Sequence, residues 1–266
     1  MADAYRQPLE RLLKLGSEPA LRRVWPDYRH LGLTERHVPG LVDLATGSAL
    51  LAGAGHDRAS WAPIHAWRAL GQLRATLAAP LLLALLEREA QDAWVFGEVP
   101  MVLGMIGPAA LAGATLLLFD EGHPEAVRTA GARTITEVAH EHPERRDEAV
   151  ALLSKQLEDW ARQGPILNGF LVGCLVELDA GEAAPVMEAA FAAGAVDLTM
   201  MGDWEDVQVE LGLLEQRITR PTPWSPVNPE LDLPLPGGSR PRGAAEKARE
   251  RRKAEKQSRK RNRRRK

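Results

Sequence analysis

Apolar residues recur along this chain in pairs of short helical stretches. Residues 61–87 contain two such stretches, each with apolar positions spaced three and four residues apart. Residues 70–87 align without a gap on residues 103–120, and the first stretch recurs at Ile135 and Leu175. Repetition at this period is typical of stacked helix pairs, because one pair cannot bury its apolar face alone. The pattern predicts an all-α protein.

The expected ends of these helices carry capping residues. Pro80 and Pro185 each follow two alanines, and a proline in the first helical turn costs no hydrogen bond. Ser60 is a candidate N-cap for a helix that begins at Trp61. Asp203 is a candidate N-cap for a last helix over residues 204–213.

The repeats resemble a known class of helical hairpins. They lack the Trp-Leu-Gly-Tyr pattern of tetratricopeptide repeats and the Thr-Pro-Leu-His pattern of ankyrin repeats. With their apolar and Ala-Pro positions, they resemble the short HEAT-like repeats of phycobilin lyase-type proteins. Residues 61–73, 190–197 and 202–207 are similar to an uncharacterised bacterial HEAT-repeat family.

The resemblance extends over about residues 5–213. It implies an α-solenoid of HEAT-like helical hairpins, an armadillo-type superhelix. Some members of that family end in a cysteine-bearing zinc knuckle. No Cys follows Cys174 in this chain, so no zinc is expected.

Composition divides the chain into four parts. Residues 1–60 precede the clear repeats and are expected to form an N-terminal helical cap of the stack. Residues 61–213 hold the repeats and the terminal helix. Residues 214–242 are a Pro-rich linker, and residues 243–266 are a basic tail that is expected to be disordered because of its charge run.

Charge is strongly segregated along the chain. The last 28 residues hold 15 of the 34 Lys and Arg residues but only 3 of the 36 acids, although the net charge of the whole chain is −2. Such a tail is expected to bind RNA or DNA through phosphates, without sequence preference. It could instead fold onto the acidic repeats of its own or a neighbouring chain, or merely increase solubility. The candidate polyanion-binding residues are Arg249, Arg251, Arg252, Lys253, Lys256, Arg259, Lys260, Arg261, Arg263, Arg264, Arg265 and Lys266.

Few residues suggest catalysis. The single Cys174 excludes an intramolecular disulfide, and no glycine-rich phosphate loop or Gly-x-Ser-x-Gly motif is present. Residues 140–142 (His-Glu-His) are the best metal candidate, but they lie in a predicted turn without a third ligand. We therefore expect no catalytic residues, cofactor or metal.

A weak partner-binding candidate is the acidic set of Glu205, Asp206 and Glu210, although helix capping also explains the first two.

Residues 100–119 carry no charge and are long enough to span a bilayer. Their shared register with the neighbouring repeats instead favours two buried helices. The chain starts without the basic and apolar segments of a signal peptide, so we expect a cytoplasmic protein without a membrane segment.

The second helices of the first two units are almost entirely apolar, which favours burial or an apolar peptide groove over catalysis. The sequence thus predicts a non-catalytic protein-interaction scaffold, whose protein partner it does not identify, with a polybasic tail that attaches to nucleic acid or to an acidic partner. The alternative is a HEAT-like lyase, a cofactor chaperone or a metal-dependent enzyme that uses a pocket in the repeats.

Overall fold

A computed structural model describes residues 2–16, 25–47 and 58–225 of the chain. The α-helices in these ranges are α1 (Ala2–Leu15), α2 (Val38–Thr46), α3 (Ala62–Gln72), α4 (Ala79–Glu89), α5 (Ala93–Ile106), α6 (Leu111–Phe119), α7 (Glu125–Glu141), α8 (Arg146–Leu157), α9 (Pro165–Glu177), α10 (Ala184–Ala192), α11 (Leu198–Met201) and α12 (Trp204–Glu210). No strand occurs in these ranges, so the predicted all-α class is confirmed.

The helices from α3 to α10 form four consecutive pairs. In each pair, a single 3-10 turn immediately precedes the second helix, at Thr76–Ala78, Pro108–Ala110, Pro143–Arg145 and Gly181–Ala183. The first helices α3, α5, α7 and α9 contact one another in chain order, and so do the second helices α4, α6, α8 and α10. The helical pairs expected from the sequence repeat are therefore present.

Prolines and glycines mark several of the turns. Pro80 and Pro185 occupy the first turns of α4 and α10, as the sequence predicts. Gly107 separates α5 from α6 with a φ of 98°, a backbone conformation that glycine adopts without a steric penalty.

The two predicted N-caps have different outcomes. Asp203 caps α12: its carboxylate accepts from the backbone N–H of Asp206, and the Asp206 carboxylate accepts from the N–H of Asp203. The prediction for Ser60 is wrong, because Ser60 lies within a 3-10 turn at Ala59–Trp61 and α3 begins only at Ala62. Pro63 occupies the first turn of α3, where no N–H is required.

Helix α7 lies at the centre of the packing. Every residue from 127 to 139 is buried except Arg133, which is partly exposed. A Cβ atom on Gly104 of α5 would lie 2.8 Å from backbone atoms of Glu137, and one on Gly131 would lie 2.7 Å from the carbonyl oxygen of Ala114 in α6. The two glycines thus let α5 and α6 approach the backbone of α7 closely.

The N-terminal region packs on the first helical pair. Helix α1 contacts α3, and α2 contacts both α3 and α4. Polar bonds add to these contacts: the Tyr28 hydroxyl lies 2.8 Å from Nδ1 of His65, and Nε2 of the same ring lies 2.9 Å from the carbonyl oxygen of Gly16. His65 is therefore a buried structural residue that connects α3 to the preceding segment.

By its contacts, the chain divides into two units, of which the first is Met1–Asn228. The described residues all belong to the first unit. Most of the predicted linker and the whole basic tail lie outside the described residues, so their assignments stay predictions.

Within the described ranges, no single helix has both the length and the apolar character needed to cross a membrane. The segments Ala93–Ile106 and Pro108–Phe119 meet the length and composition criteria together, but the chain bends by 119° between them. This bend lies at Gly107 and Pro108, which separate the two helices that the sequence predicts within residues 100–119.

Candidate interaction sites

The predicted polyanion site lies outside the described part of the chain. All twelve of its cationic residues fall between positions 249 and 266, whereas the described residues end at Ser225. This site stays a prediction from the sequence.

The acidic residues around α12 hold a polypeptide segment of the protein itself. The Arg217 guanidinium donates to both carboxylate oxygens of Asp203, at 2.6 and 2.7 Å, and lies 2.7 Å from Oδ1 of Asp206. Glu205 accepts from the backbone N–H groups of Ile218 and Thr219 at 3.1 and 3.0 Å. The segment that follows α12 is thereby fastened to this helix.

Local bonds keep two of these carboxylates charged. The Arg217 hydrogen bonds lower the pKa of Asp203, and the backbone N–H of Thr219 makes the largest contribution to the lowered pKa of Glu205. Asp206 is buried, whereas Glu210 is exposed. Two of the three predicted partner-binding acids are thus engaged within the chain, and the binding of a partner to Glu205, Asp206 and Glu210 stays a prediction.

A second ionic cluster lies between α7 and α9. Glu137 is only 1% exposed, and its Oε1 lies 2.9 Å from Nη2 of Arg133, whose Nη1 donates to Glu177 on α9 at 3.0 Å. Nδ1 of His140 lies 3.9 Å from Oε2 of Glu137. Interaction with the buried carboxylate raises the pKa of His140, which favours its imidazolium form.

The His-Glu-His sequence at residues 140–142 does not form a joint site. His140 faces Glu137, one turn earlier, and Nδ1 of His142 lies 3.5 Å from Glu144. Among the residues that the structure describes, no three His, Cys, Asp or Glu side chains are grouped to hold a metal ion.

Cys174 is buried beside the α7–α9 cluster. Burial makes the largest contribution to a pKa raised to about 12, so the side chain is a neutral thiol at physiological pH. A neutral, enclosed thiol is not a nucleophile. Cys174 therefore packs as a small buried side chain.

The most enclosed ion pair of the described residues was missed by the sequence analysis. The side chains of Arg68 on α3 and Glu98 on α5 are 0% and 1% exposed, and they form a bidentate pair in which Nε of Arg68 donates to Glu98 at 2.7 Å. The indole N–H of Trp67 donates to the same carboxylate at 3.0 Å, and the Trp25 ring lies 5.2 Å from the guanidinium carbon. The only signal in the sequence was Glu98, a lone charge within an apolar helix.

An exposed apolar surface extends over the second helices of the first two pairs and the 3-10 turns that precede them. Leu77, Leu81 and Leu116 are 82%, 48% and 71% exposed. The Leu83 side chain of α4 packs directly against Gly113 of α6, because a Cβ on Gly113 would clash with it. We call this surface the outer leucine face, and it comprises Leu77, Leu81, Ala84, Ala109, Ala112 and Leu116, all of which are exposed.

Comparisons of this chain with protein-family models, curated proteins and solved structures found no match. The HEAT-like interpretation therefore depends on the repeat pattern of the chain itself.

Proposed function

We propose that this protein is a non-catalytic interaction scaffold, an α-solenoid of HEAT-like hairpins whose polybasic tail attaches it to nucleic acid. The observation that carries the proposal is the charge segregation, with 15 Lys and Arg residues against 3 acids in the last 28 residues. Cationic side chains at this density neutralise phosphates and release counterions, which gives binding that weakens steeply as salt rises.

The order of helix contacts supports the solenoid part of the proposal. First helices contact first helices and second helices contact second helices along four successive pairs. Each pair has the same hairpin plan, with a 3-10 turn before its second helix. A stack of equivalent hairpins gives an extended surface, and such surfaces serve for binding macromolecules.

The burial and protonation states of three titratable sites support binding rather than catalysis. Cys174 is a buried neutral thiol, and His140 is held near a buried carboxylate that favours its charged form. Arg68 and Glu98 satisfy each other in the core. These groups act within the protein fold, which leaves the tail and the exposed apolar surface as the parts available to partners.

The test is the salt dependence of binding to labelled duplex DNA and RNA by the full chain, measured by fluorescence anisotropy. Substituting Arg263, Arg264 and Arg265 with Gln in the full chain removes three phosphate contacts. For duplex DNA, the slope of log K against log salt should become shallower by about 2 to 3.

A matched variant keeps the tail and removes three cations from the helical part. Arg29, Arg145 and Lys155 are exposed, and their substitution with Gln should leave the slope unchanged. The nucleic-acid proposal is wrong if the full chain fails to bind at low salt, or if both triple variants lose affinity equally. In that case the acidic helical part becomes the candidate partner of the tail.

A further inference from the structure

Two consecutive methionines pack the short helix α11 onto α9. The sulfur of Met200 lies 3.1 Å from the position that a Cβ atom on Gly169 would take, and the sulfur of Met201 lies 3.6 Å from the corresponding position on Gly173. The two glycines are four residues apart and therefore share one face of α9. Each methionine thus packs where a glycine leaves room for it on the surface of α9.

Hydrogen bonds fasten the residues that precede α11. The backbone N–H of Asp197 donates to the carbonyl oxygen of Pro165 at 3.0 Å, and the side-chain amide of Asn168 donates to that of Ala195 at 2.8 Å. Helix α11 follows at Leu198–Met201 and contacts α9, with the two methionines at its C-terminal end. A weaker methionine contact would therefore loosen this end of α11 while the preceding residues stay attached.

The two methionines are more open to oxidants than the cysteine of this chain. Met200 and Met201 are partly exposed, and a thioether reacts with peroxide without losing a proton. Cys174 is the single cysteine, and burial raises its pKa to about 12. The reactive thiolate form is therefore scarce in the folded chain, which leaves the methionine sulfurs as the better targets.

We propose that Met200 and Met201 form a peroxide-sensitive contact, whose oxidation to methionine sulfoxide releases α11 from α9. The sulfur lone pair attacks one oxygen of hydrogen peroxide, and an S–O bond forms as the O–O bond breaks. The other oxygen takes up the proton of the transferred oxygen and leaves as water. Each methionine loses two electrons, and the peroxide gains them. The proposal goes beyond the scaffold function and does not depend on nucleic-acid binding by the tail.

A sulfoxide fits poorly against the glycines of α9. Its oxygen is a polar acceptor that needs a donor, but the backbone N–H groups of Gly169 and Gly173 already donate within the α-helix. The sulfur of Met200 also lies so close to Gly169 that an added oxygen has little room on that side. The oxidised side chains should therefore turn towards water.

The release of α11 would loosen the connection between the last hairpin and α12. Helix α12 keeps a contact of its own with α10, because the rings of Phe191 and Trp204 lie 5.7 Å apart. The loosened part should therefore be local and extend over residues 197–203, from the N-cap of α11 to the N-cap of α12.

The first experiment treats the full chain with hydrogen peroxide and maps the oxidised residues by peptide mass spectrometry. Met200 and Met201 should oxidise at least about tenfold faster than Met187, which is fully buried on α10. Hydrogen exchange over residues 197–203 should then become faster by about tenfold or more, whereas exchange in α8 should not change. Methionine sulfoxide reductases, which together reduce both sulfoxide epimers, should restore the slow exchange.

The second experiment uses two matched double variants. Met200→Leu with Met201→Leu keeps apolar side chains of similar size and removes both reactive sulfurs, so peroxide should leave exchange over residues 197–203 unchanged. Met101→Leu with Met105→Leu is the control, because these methionines are also partly exposed but lie on α5. The control chain should respond to peroxide like the unaltered chain.

Three results would overturn the proposal. Met200 and Met201 could oxidise no faster than Met187, their oxidation could leave exchange over residues 197–203 unchanged, or the chain that lacks both sulfurs could still respond to peroxide. If that variant does not fold, the reductase treatment of the unaltered chain decides, and exchange that stays fast after reduction contradicts the proposal. The nucleic-acid proposal is tested without peroxide, so the two proposals fail independently.

Discussion

The Arg68–Glu98 pair allows a quantitative test of how the first two helical pairs are joined. Substituting Glu98 with Leu leaves the Arg68 guanidinium enclosed without its carboxylate, since both side chains are at most 1% exposed. Removing one partner of such a pair costs about 3 to 5 kcal/mol. The Trp67 indole also loses its acceptor, which adds about 1 kcal/mol.

The assay is urea unfolding of the full chain followed by circular dichroism, together with a thermal scan. For a domain of this size, each kcal/mol shifts the midpoint by about 2 to 4 °C, so Glu98→Leu should lower it by roughly 8 to 24 °C. The control is the double variant Arg68→Met with Glu98→Leu, which replaces the ion pair by apolar side chains and should be more stable than Glu98→Leu alone.

Two results would refute this reasoning. A loss below about 1 kcal/mol in Glu98→Leu would mean that water or another group satisfies Arg68. A double variant less stable than Glu98→Leu alone would mean that the guanidinium stabilises the core without its carboxylate, for example through Trp25.

Three further predictions concern α7 and α9. His140 has a raised pKa, so its contribution to stability is complete below its ordinary pKa and is lost as pH rises through the raised value. His140→Gln should remove this part of the dependence, and unfolding that shows the same pH dependence in both proteins would contradict it. Gly131→Ala should cost about 1 to 3 kcal/mol in urea unfolding, whereas Gly173→Ala, with its nearest neighbour at 3.6 Å, should be neutral or slightly stabilising. Cys174 should react with a thiol reagent at pH 8 only after unfolding, and rapid reaction of the folded chain would show that the thiol is accessible.

Local patterns in the sequence predict the helices well, because each helix depends on nearby residues. The apolar spacing predicts the helical pairs, and Pro80 and Pro185 mark the first turns of two second helices. Asp203 and Asp206 form their capping box from residues three positions apart. Ser60 is an exception to these local patterns. A short 3-10 turn at Ala59–Trp61 precedes α3, so the α-helix begins later than the pattern predicts.

Contacts between distant residues could not be predicted in this way. Glu98 and Arg68 are 30 positions apart, and only the packing of α5 on α3 brings them together. Arg217 lies in the part that the sequence analysis assigns to the linker, yet it binds Asp203. The apolar composition of α4 and α6 is obvious in the sequence, but exposure of Leu81 and Leu116 depends on which sides of these helices lack neighbours.

The bonds between α12 and the segment that follows it have a mechanical consequence. A pull on the chain beyond Ser225 acts first on the hydrogen bond from the Ser225 hydroxyl to Asp206, at 2.6 Å. It acts next on the two hydrogen bonds that the Arg217 guanidinium donates to the Asp203 carboxylate. Force applied through a tethered tail would therefore be resisted at α12 before it reaches the hairpins. The last helix would therefore act as a mechanical anchor between the C-terminal segment and the hairpins.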